Sequence, residues 1–280
     1  MTYIPDKYAV LGNPVAHSRS PQIHRAFAAQ TGADIHYDRI LVPVNRFVET
    51  AKQFIAAGGR GFNVTVPCKE DAYRFAGRLT PRALRAKAVN TVVVNDNGPT
   101  LGDNTDGAGL VKDLVDNLGW PLTGKRVLIL GAGGAVRGVL EPVLNVQPAA
   151  VVLANRTATK ASILAAEFAD LGPIQGGSYD ELANATPFDL IINGTSASLA
   201  GALPPVPGEL VNSNCCCYDM MYGPQPTVFM AWAQATGAGH VADGLGMLVE
   251  QAAESFALWR GTKPDTRPVI ATIRTELGRR

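Results

Sequence analysis

The sequence predicts an α/β protein made of two successive βα series, each forming a mainly parallel sheet covered by helices. Three observations predict it. Short apolar, β-rich runs alternate with amphipathic helical stretches along the chain. A polar, glycine-rich segment, Gly102-Asp103-Asn104-Thr105-Asp106-Gly107-Ala108-Gly109, interrupts the alternation and marks a boundary or hinge. The βα pattern then restarts at Lys125.

The first series opens with Tyr8-Ala9-Val10-Leu11, a strand closed by the turn residues Gly12-Asn13-Pro14. Pro21 to Thr31 reads as a helix, with Ser20 as N-cap and Pro21 at the first helical position, where no N–H is needed. Ile35 to Val42 is a strand, and Val44 to Ala57 a helix stopped by Gly58-Gly59. Phe62 to Val66 is a strand broken by Pro67. Ala88 to Val94 is another, closed by Asp96-Asn97-Gly98-Pro99. Gly109 to Leu118 reads as helical. In the second series Val127 to Leu130, Val151 to Ala154, Asp189 to Asn193 and Cys215 to Met220 are strands. Val136 to Leu144 and Thr159 to Leu171 are the helices between them. Two more helices follow, Met247 to Trp259 and Pro268 to Leu277.

Composition narrows the function classes. Hydrophobic residues make up 46% of the 280 and charged residues 18%, enough for a sizeable core in one large or two ordinary domains. A net charge of +1 lacks the strong basic field that nucleic acid or a membrane surface requires. The first residues carry no apolar run behind a basic start, so no signal peptide is expected. No stretch approaches the roughly 20 apolar residues that span a bilayer. Cys68 and the run Cys215-Cys216-Cys217 have neither zinc-ligand spacing nor a useful disulfide arrangement. Buried thiols on a core strand are expected, and reduced thiols fit a cytoplasmic protein. No metal site is expected.

The sharpest local signal is Gly131-Ala132-Gly133-Gly134-Ala135, directly after a strand and directly before a helix. Glycine permits the tight turn and lets backbone N–H groups at the helix start reach a pyrophosphate. Val136 stands where a third glycine or alanine would complete the dinucleotide fingerprint. The end of the next strand selects the cofactor. An acidic residue there would hold the ribose 2′-hydroxyl of NAD, and a basic one the 2′-phosphate of NADP. The stretch reads Asn155-Arg156-Thr157, with Lys160 one turn on and no carboxylate. Arg156 can clasp a phosphate through two N–H groups and stack on adenine, which favours NADP over the alternative of a solvated loop arginine.

Polar residues also collect at strand ends in the first series. Ser18 and Ser20 flank a helix start, where two hydroxyls and the helix dipole suit a carboxylate. Thr65 and Lys69 follow a strand, at the edge where open α/β sheets bind ligands. Asp106 by itself reads as a helix cap or a catalyst, and Asn90 begins a polar break in an apolar strand.

Taken together these segments resemble the shikimate dehydrogenase family over nearly the full chain. The resemblance rests on Gly12-Asn13-Pro14 with His17-Ser18-Arg19-Ser20-Pro21, Asn63-Val64-Thr65-Val66-Pro67 with Lys69, and Ala88-Val89-Asn90-Thr91. It continues in Gly102 to Gly107, Gly131 to Ala135, Asn155-Arg156-Thr157, Tyr218-Asp219-Met220 with Tyr222, and Asp243-Gly244-Leu245-Gly246-Met247 with Gln251. Order and spacing together make it specific.

The resemblance implies reversible NADPH-dependent reduction of 3-dehydroshikimate to shikimate, a step toward the aromatic amino acids. It implies a catalytic domain over residues 1–106, a Rossmann-like NADP-binding domain over 107–242, and C-terminal helices over 243–280 that return to the catalytic domain. The substrate would lie in the cleft between the domains. Ser18 and Ser20 would bind its carboxylate with Tyr222 nearby, and Thr65, Lys69, Asn90, Asp106 and Gln251 would contact the ring hydroxyls. Lys69 and Asp106 would be the catalytic acid/base pair. Gly131, Ala132, Gly133, Gly134 and Ala135, with Asn155, Arg156, Thr157, Ala158, Thr159 and Lys160, would hold the pyrophosphate and adenosine phosphate. Met220 and Gly244 would face the nicotinamide, and glycines at 107–109 and 244–246 would form a closing hinge.

Two positions depart from the family pattern. Cys68 replaces a larger apolar residue before the lysine, and Pro81 stands where some relatives are acidic. Two rivals stay open: a quinate or quinate/shikimate dehydrogenase of broader substrate or cofactor range, NAD included, and a non-catalytic dinucleotide-binding regulator. A plain structural scaffold would leave the polar residues at strand ends unexplained. The expected partner is a small molecule, and monomer or homodimer is left open.

Overall fold

A computed structural model describes residues 5–197 and 201–279. The chain divides into two compact units, one of residues 1–109 with 249–269, the other of 110–248 with 270–280.

The first unit contains β1 (Asp6–Gly12), α1 (Ser20–Thr31), β2 (Ile35–Leu41), α2 (Phe47–Ala56), β3 (Gly59–Val64), α3 (Lys69–Phe75), β4 (Arg78–Leu79), α4 (Pro81–Ala86), β5 (Thr91–Val93), β6 (Leu101–Asp103) and the start of α5 (Asp106–Lys112). The sheet order is β2-β1-β3-β5-β6-β4. β1 runs parallel to β2 and β3, and β4 parallel to β6, but β5 is antiparallel to both neighbours. Five of the six strands thus run the same way, so the sheet is mainly parallel as the alternation predicts, with β5 alone reversed. The chain between β5 and β6 is a short hairpin through Asp96-Asn97-Gly98-Pro99, and only a long crossover yields parallel pairing.

Several boundaries shift for identifiable reasons. α1 starts one residue early, with Arg19 at the N-cap, and Ser18 Oγ accepts the Ser20 N–H at 3.2 Å. Gly32 closes α1 at φ 68°, its N–H bonding Ala28 O. α2 starts at Phe47 rather than Val44, because Asn45 sits at φ 59°. The strand expected over Ala88–Val94 shrinks to Thr91–Val93. Upstream, Val89 N bonds Lys69 O and Asn90 N bonds Asp103 O instead of extending the ladder regularly. The helix expected from Gly109 begins three residues earlier at Asp106 and ends in a π-turn, Asp113–Asn117.

The second unit contains β7 (Arg126–Leu130), α6 (Gly134–Asn145), β8 (Ala150–Ala154), α7 (Ala158–Phe168), β9 (Ile174–Gly177), β10 (Leu190–Asn193), β11 (Cys216–Asp219), α8 (Val228–Thr236) and β12 (His240–Asp243). All its pairings are parallel, in the order β12-β11-β10-β7-β8-β9. Val127 and Ile129 enter one apolar cluster, Leu128 and Leu130 another, and all four are fully buried. A strand covered on both faces reads as a continuous apolar run. Each such side chain stabilises the fold by roughly 1.5–3 kcal/mol. Strand order reverses between β7 and β10, the crevice where open α/β sheets take ligands.

α9 (Leu245–Arg260) and α10 (Arg267–Gly278) complete the chain. Residues 249–269 belong to the first unit, but 270–280 belong to the second. The C-terminal stretch is thus divided, whereas the resemblance sends it whole to the first domain. Arg274 anchors the last part through two hydrogen bonds to Asp243, one of 2.8 Å.

Candidate active site

In the first unit Lys69, Asp106, Asn90 and Gln251 form one connected constellation, with which Ser18, Ser20 and Thr65 share no hydrogen bond named here. β3 ends at Val64, and the turn through Thr65 and Pro67 delivers Lys69 as the first residue of α3. Asp106 opens α5, with its N–H bonded to Asn104 Oδ1 at 3.1 Å. Lys69 Nζ lies 2.5 Å from Asp106 Oδ2, and the Asn90 amide donates to Asp106 Oδ1 at 2.7 Å. Both carboxylate oxygens are therefore held, and Asp106 is buried while the Lys69 side chain stays 28% exposed. Asn90 also donates to Gln251 Oε1 at 3.3 Å, which brings in α9. Thr105, which carries no expected role, bridges the same group: its N–H donates to Asn90 Oδ1 at 2.9 Å.

Ser18 and Ser20 stand together, their hydroxyl oxygens 3.1 Å apart, Ser18 half-buried and Ser20 buried. Thr65 is half-buried beside Gly12, where a Cβ would meet the Thr65 methyl at 2.3 Å. That close approach gives Gly12 in Gly12-Asn13-Pro14 a packing reason.

The structure also joins residues to which the sequence assigns no task. Asn63 donates to Asn90 O, Thr91 Oγ1 and Ser255 Oγ, and its carbonyl accepts from Tyr37 at 2.7 Å. His24 Nε2 lies 3.1 Å from the same carbonyl. The His24 ring is fully buried against Tyr37, and burial pushes its pKa down to about 3, against a smaller upward pull from Asn63. The legible signal for this network is Asn63 itself, a polar residue between Phe62 and Val64 in a buried strand.

Cys68 is buried at 3% exposure, and burial, then the nearby Asp71 charge, push its thiol pKa up. A reactive thiol beside Lys69 is therefore not what the fold provides. Cys215 lies just before β11, with Cys216 and Cys217 on it. Cys215 and Cys217 are buried and Cys216 is half-buried.

In the second unit Gly131 follows β7 at φ 108°, a conformation that favours glycine, and faces Gly194 and Thr195. Gly133 and Gly134 are exposed, and a Cβ on either would project into open space. α6 begins there with no side-chain cap, so its first N–H groups are turned outward. That cradle fits a dinucleotide pyrophosphate. Asn155, Arg156 and Thr157 lead into α7, whose first residues are Ala158, Thr159 and Lys160. Arg156 and Lys160 are exposed and have no ion-pair partner among the described residues. Two such cations at an uncapped helix start suit a terminal phosphate.

Met220 follows β11, and its Sδ would lie 3.2 Å from a Cβ on Gly194. A Cβ on Gly244 would sit 2.2 Å from Met220 O, so close approach requires a glycine there. Gly109 and Gly246 are likewise accounted for by contact, with Gln251 N and with Asp113 Oδ1. Gly107 to Gly109 lie within α5, so the hinge expected there is a stretch of regular helix. Tyr222 is half-buried on the loop after β11, in the second unit.

Among the described residues no helix is long and apolar enough to cross a membrane.

Known proteins resemble the chain over nearly its full length. Residues 10–92 match the shikimate dehydrogenase substrate binding domain, 112–200 the shikimate / quinate 5-dehydrogenase model, and 244–274 the shikimate 5′-dehydrogenase C-terminal domain. The chain is 59% identical to a shikimate dehydrogenase (NADP(+)) of Cellvibrio japonicus (strain Ueda107), covering 97% of this chain and 98% of the relative. An Ael1 enzyme from Pseudomonas putida is 43% identical with a TM-score of 0.90, over 95% of this chain and 97% of that one. The shikimate 5-dehydrogenase of Thermus thermophilus, solved with NADP(H) and shikimate, is 33% identical with a TM-score of 0.86, over 96% and 99%. By full-length identity and by matched domains, the chain belongs to the shikimate dehydrogenase family.

Proposed function

We propose that the chain is an NADP-dependent oxidoreductase interconverting shikimate and 3-dehydroshikimate, with Lys69 and Asp106 as its acid/base pair. The observation that carries this reading is the 2.5 Å contact between Lys69 Nζ and Asp106 Oδ2, held in place by Asn90 and Gln251. The names of the relatives and the structure solved with NADP(H) and shikimate support the substrate and the cofactor.

The cradle of Gly131 to Ala135, with Asn155 to Lys160, is assigned to NADP, and Met220 and Gly244 to its nicotinamide end. Bound there, NADPH supplies the hydride. Negative charge then develops on the keto oxygen of the substrate, and Lys69 Nζ stabilises it and delivers the proton. In the oxidative direction Lys69 takes the hydroxyl proton. Asp106 Oδ2, already within a short hydrogen bond, orients the amine and passes the proton on. Ser18 and Ser20 are assigned to the carboxylate. Thr65, Asn90 and Gln251 are assigned to the ring hydroxyls, each of which needs a partner once it leaves water.

The pair is tested by turnover of Lys69→Ala with shikimate and NADP⁺. Because the amine acts in the transition state, turnover falls by about three orders of magnitude or more, with the KM for shikimate little changed. Turnover within about tenfold of wild type would remove Lys69 from the chemistry.

A further inference from the structure

The last helix reaches the carboxyl end of β12, where the strand gives way to Gly244. Asp219 and Asp243 are register partners at the ends of β11 and β12, so Met220 and Gly244 leave the sheet side by side. A Cβ on Gly244 would sit 2.2 Å from Met220 O, and the Gly244 N–H donates to Met221 O at 3.0 Å. The corner closes on itself through Asp243, whose Oδ1 accepts the Leu245 N–H at 3.2 Å. That bond spans Gly244 and leads into α9. The Asp243 side chain is only 4% exposed, and a buried carboxylate without a partner is costly. Its partner comes from α10. Arg274 donates to Asp243 Oδ2 at 2.8 Å and, through its other terminal nitrogen, to Oδ1. Ile270, one turn earlier on the same helix face, lines the same recess as Val241, Asp243 and Gly246.

We propose that Arg274 is a positioning residue: by gripping both oxygens of Asp243 it fixes the Gly244 corner, and so the surface offered to the nicotinamide. A single contact would leave the carboxylate free to turn about its bond. Two parallel N–H···O bonds set its plane, and with it the direction of the bond from Leu245. Hydride transfer depends on where the nicotinamide ring lies, because misplacement by about 1 Å costs about a hundredfold in rate. Arg274 acts through Asp243 and Gly244 rather than on the cofactor itself. The divided C-terminal chain thereby gains a purpose, since residues 270–280 belong to the unit that carries the glycine cradle. The inference rests on the assignment of Met220 and Gly244 to the nicotinamide.

The test compares two readouts of the full-length enzyme. One is kcat/KM for NADP⁺ at saturating shikimate; the other is the Kd of adenosine 2′,5′-bisphosphate, which has no nicotinamide. Arg274→Gln removes the charged fork. It lowers kcat/KM for NADP⁺ about tenfold or more and moves the Kd of the fragment by less than about twofold. Arg274→Lys keeps the charge that compensates Asp243, but an ammonium cannot reproduce the fork. It gives the same selective loss to a smaller degree, and it suffices if Arg274→Gln does not fold. Asp243→Asn causes a similar loss, and adding Arg274→Gln to it costs little more, because the two act as one pair. Equal losses for cofactor and fragment, or losses that add, would mark a general loosening of the domain and overturn the proposal; an unchanged kcat/KM would do the same. Gly244→Ala tests the reading beneath it, since its Cβ collides with Met220 O. If Gly244→Ala keeps kcat/KM for NADP⁺ within about twofold of wild type, the nicotinamide assignment itself has failed. If Gly244→Ala shows the selective loss and both Arg274 variants keep wild-type kcat/KM, only the brace has failed.

Discussion

At the scale of single residues, Arg156 and His24 make opposite demands on water. Arg156 is exposed and keeps its charge available at the end of β8. Arg156→Asp would place a carboxylate against the 2′-phosphate, so NADP⁺ affinity falls by at least about tenfold while NAD⁺ affinity changes far less. Cofactor titration followed by fluorescence reads both, and equal losses would dissociate Arg156 from the phosphate. His24 is fully buried, and burial lowers its pKa from 6.5 to about 3. Between those values the unfolded chain binds the proton and the folded chain does not, so stability rises with pH across the window. The contribution is complete above about pH 6.5 and is lost as pH falls, by about 2 kcal/mol at about pH 5. Urea unfolding at about pH 5 and about pH 7.5 should show that loss in the wild type and a smaller one, by about the same amount, in His24→Phe. An unchanged difference would show that His24 is not neutral in the fold. Arg156 is legible in the sequence because its meaning depends on chain neighbours: a strand end, a glycine loop one strand earlier and no carboxylate nearby. His24 is not, because its partners Tyr37 and Asn63 are 13 and 39 positions away and only the packed sheet brings them together.

At the scale of elements, the approach of α5 to α9 depends on Gly109. A Cβ there would lie 2.6 Å from Gln251 N and 2.9 Å from its Cα, both main-chain atoms that cannot swing aside. Alanine is the better helix former by about 1 kcal/mol, but overpacking against backbone costs about 1–3 kcal/mol, so packing decides the sign. Gly109→Ala should lower the melting temperature and, by displacing Gln251, raise the KM for shikimate; a raised melting temperature would show that the helices have room. Helix and strand identities are readable from periodicity, since buried runs such as Val127 to Leu130 leave little choice. The short pieces β4, β6 and α4 are not, because elements of two, three and six residues carry no usable period. The start of α2 is hidden because the apolar pattern continues through Val44, and only the positive φ of Asn45 stops the helix.

At the scale of the whole molecule, the sheet of the second unit is the more legible. Its strands are all parallel and the central ones are buried on both faces, so apolar runs and glycine loops mark the crossovers there. The antiparallel β5 in the first unit is harder to read because a short strand with a polar residue at its edge pairs according to loop length rather than pattern. The path of the C-terminal chain is least readable, since an amphipathic helix states that it packs but not on what. For the site, Lys69, Asp106, Asn90 and Gln251 are all named from the sequence, yet their convergence depends on α3, α5 and α9 meeting the end of β3. The central claim, that this chain couples shikimate to NADP, is tested most directly by giving the purified protein shikimate or quinate with NADP⁺ or NAD⁺ and following the reduced-nicotinamide absorbance. Rapid reduction with shikimate and NADP⁺, and at least about tenfold lower kcat/KM in the other three combinations, is the predicted result; preference for quinate or for NAD⁺ would contradict it.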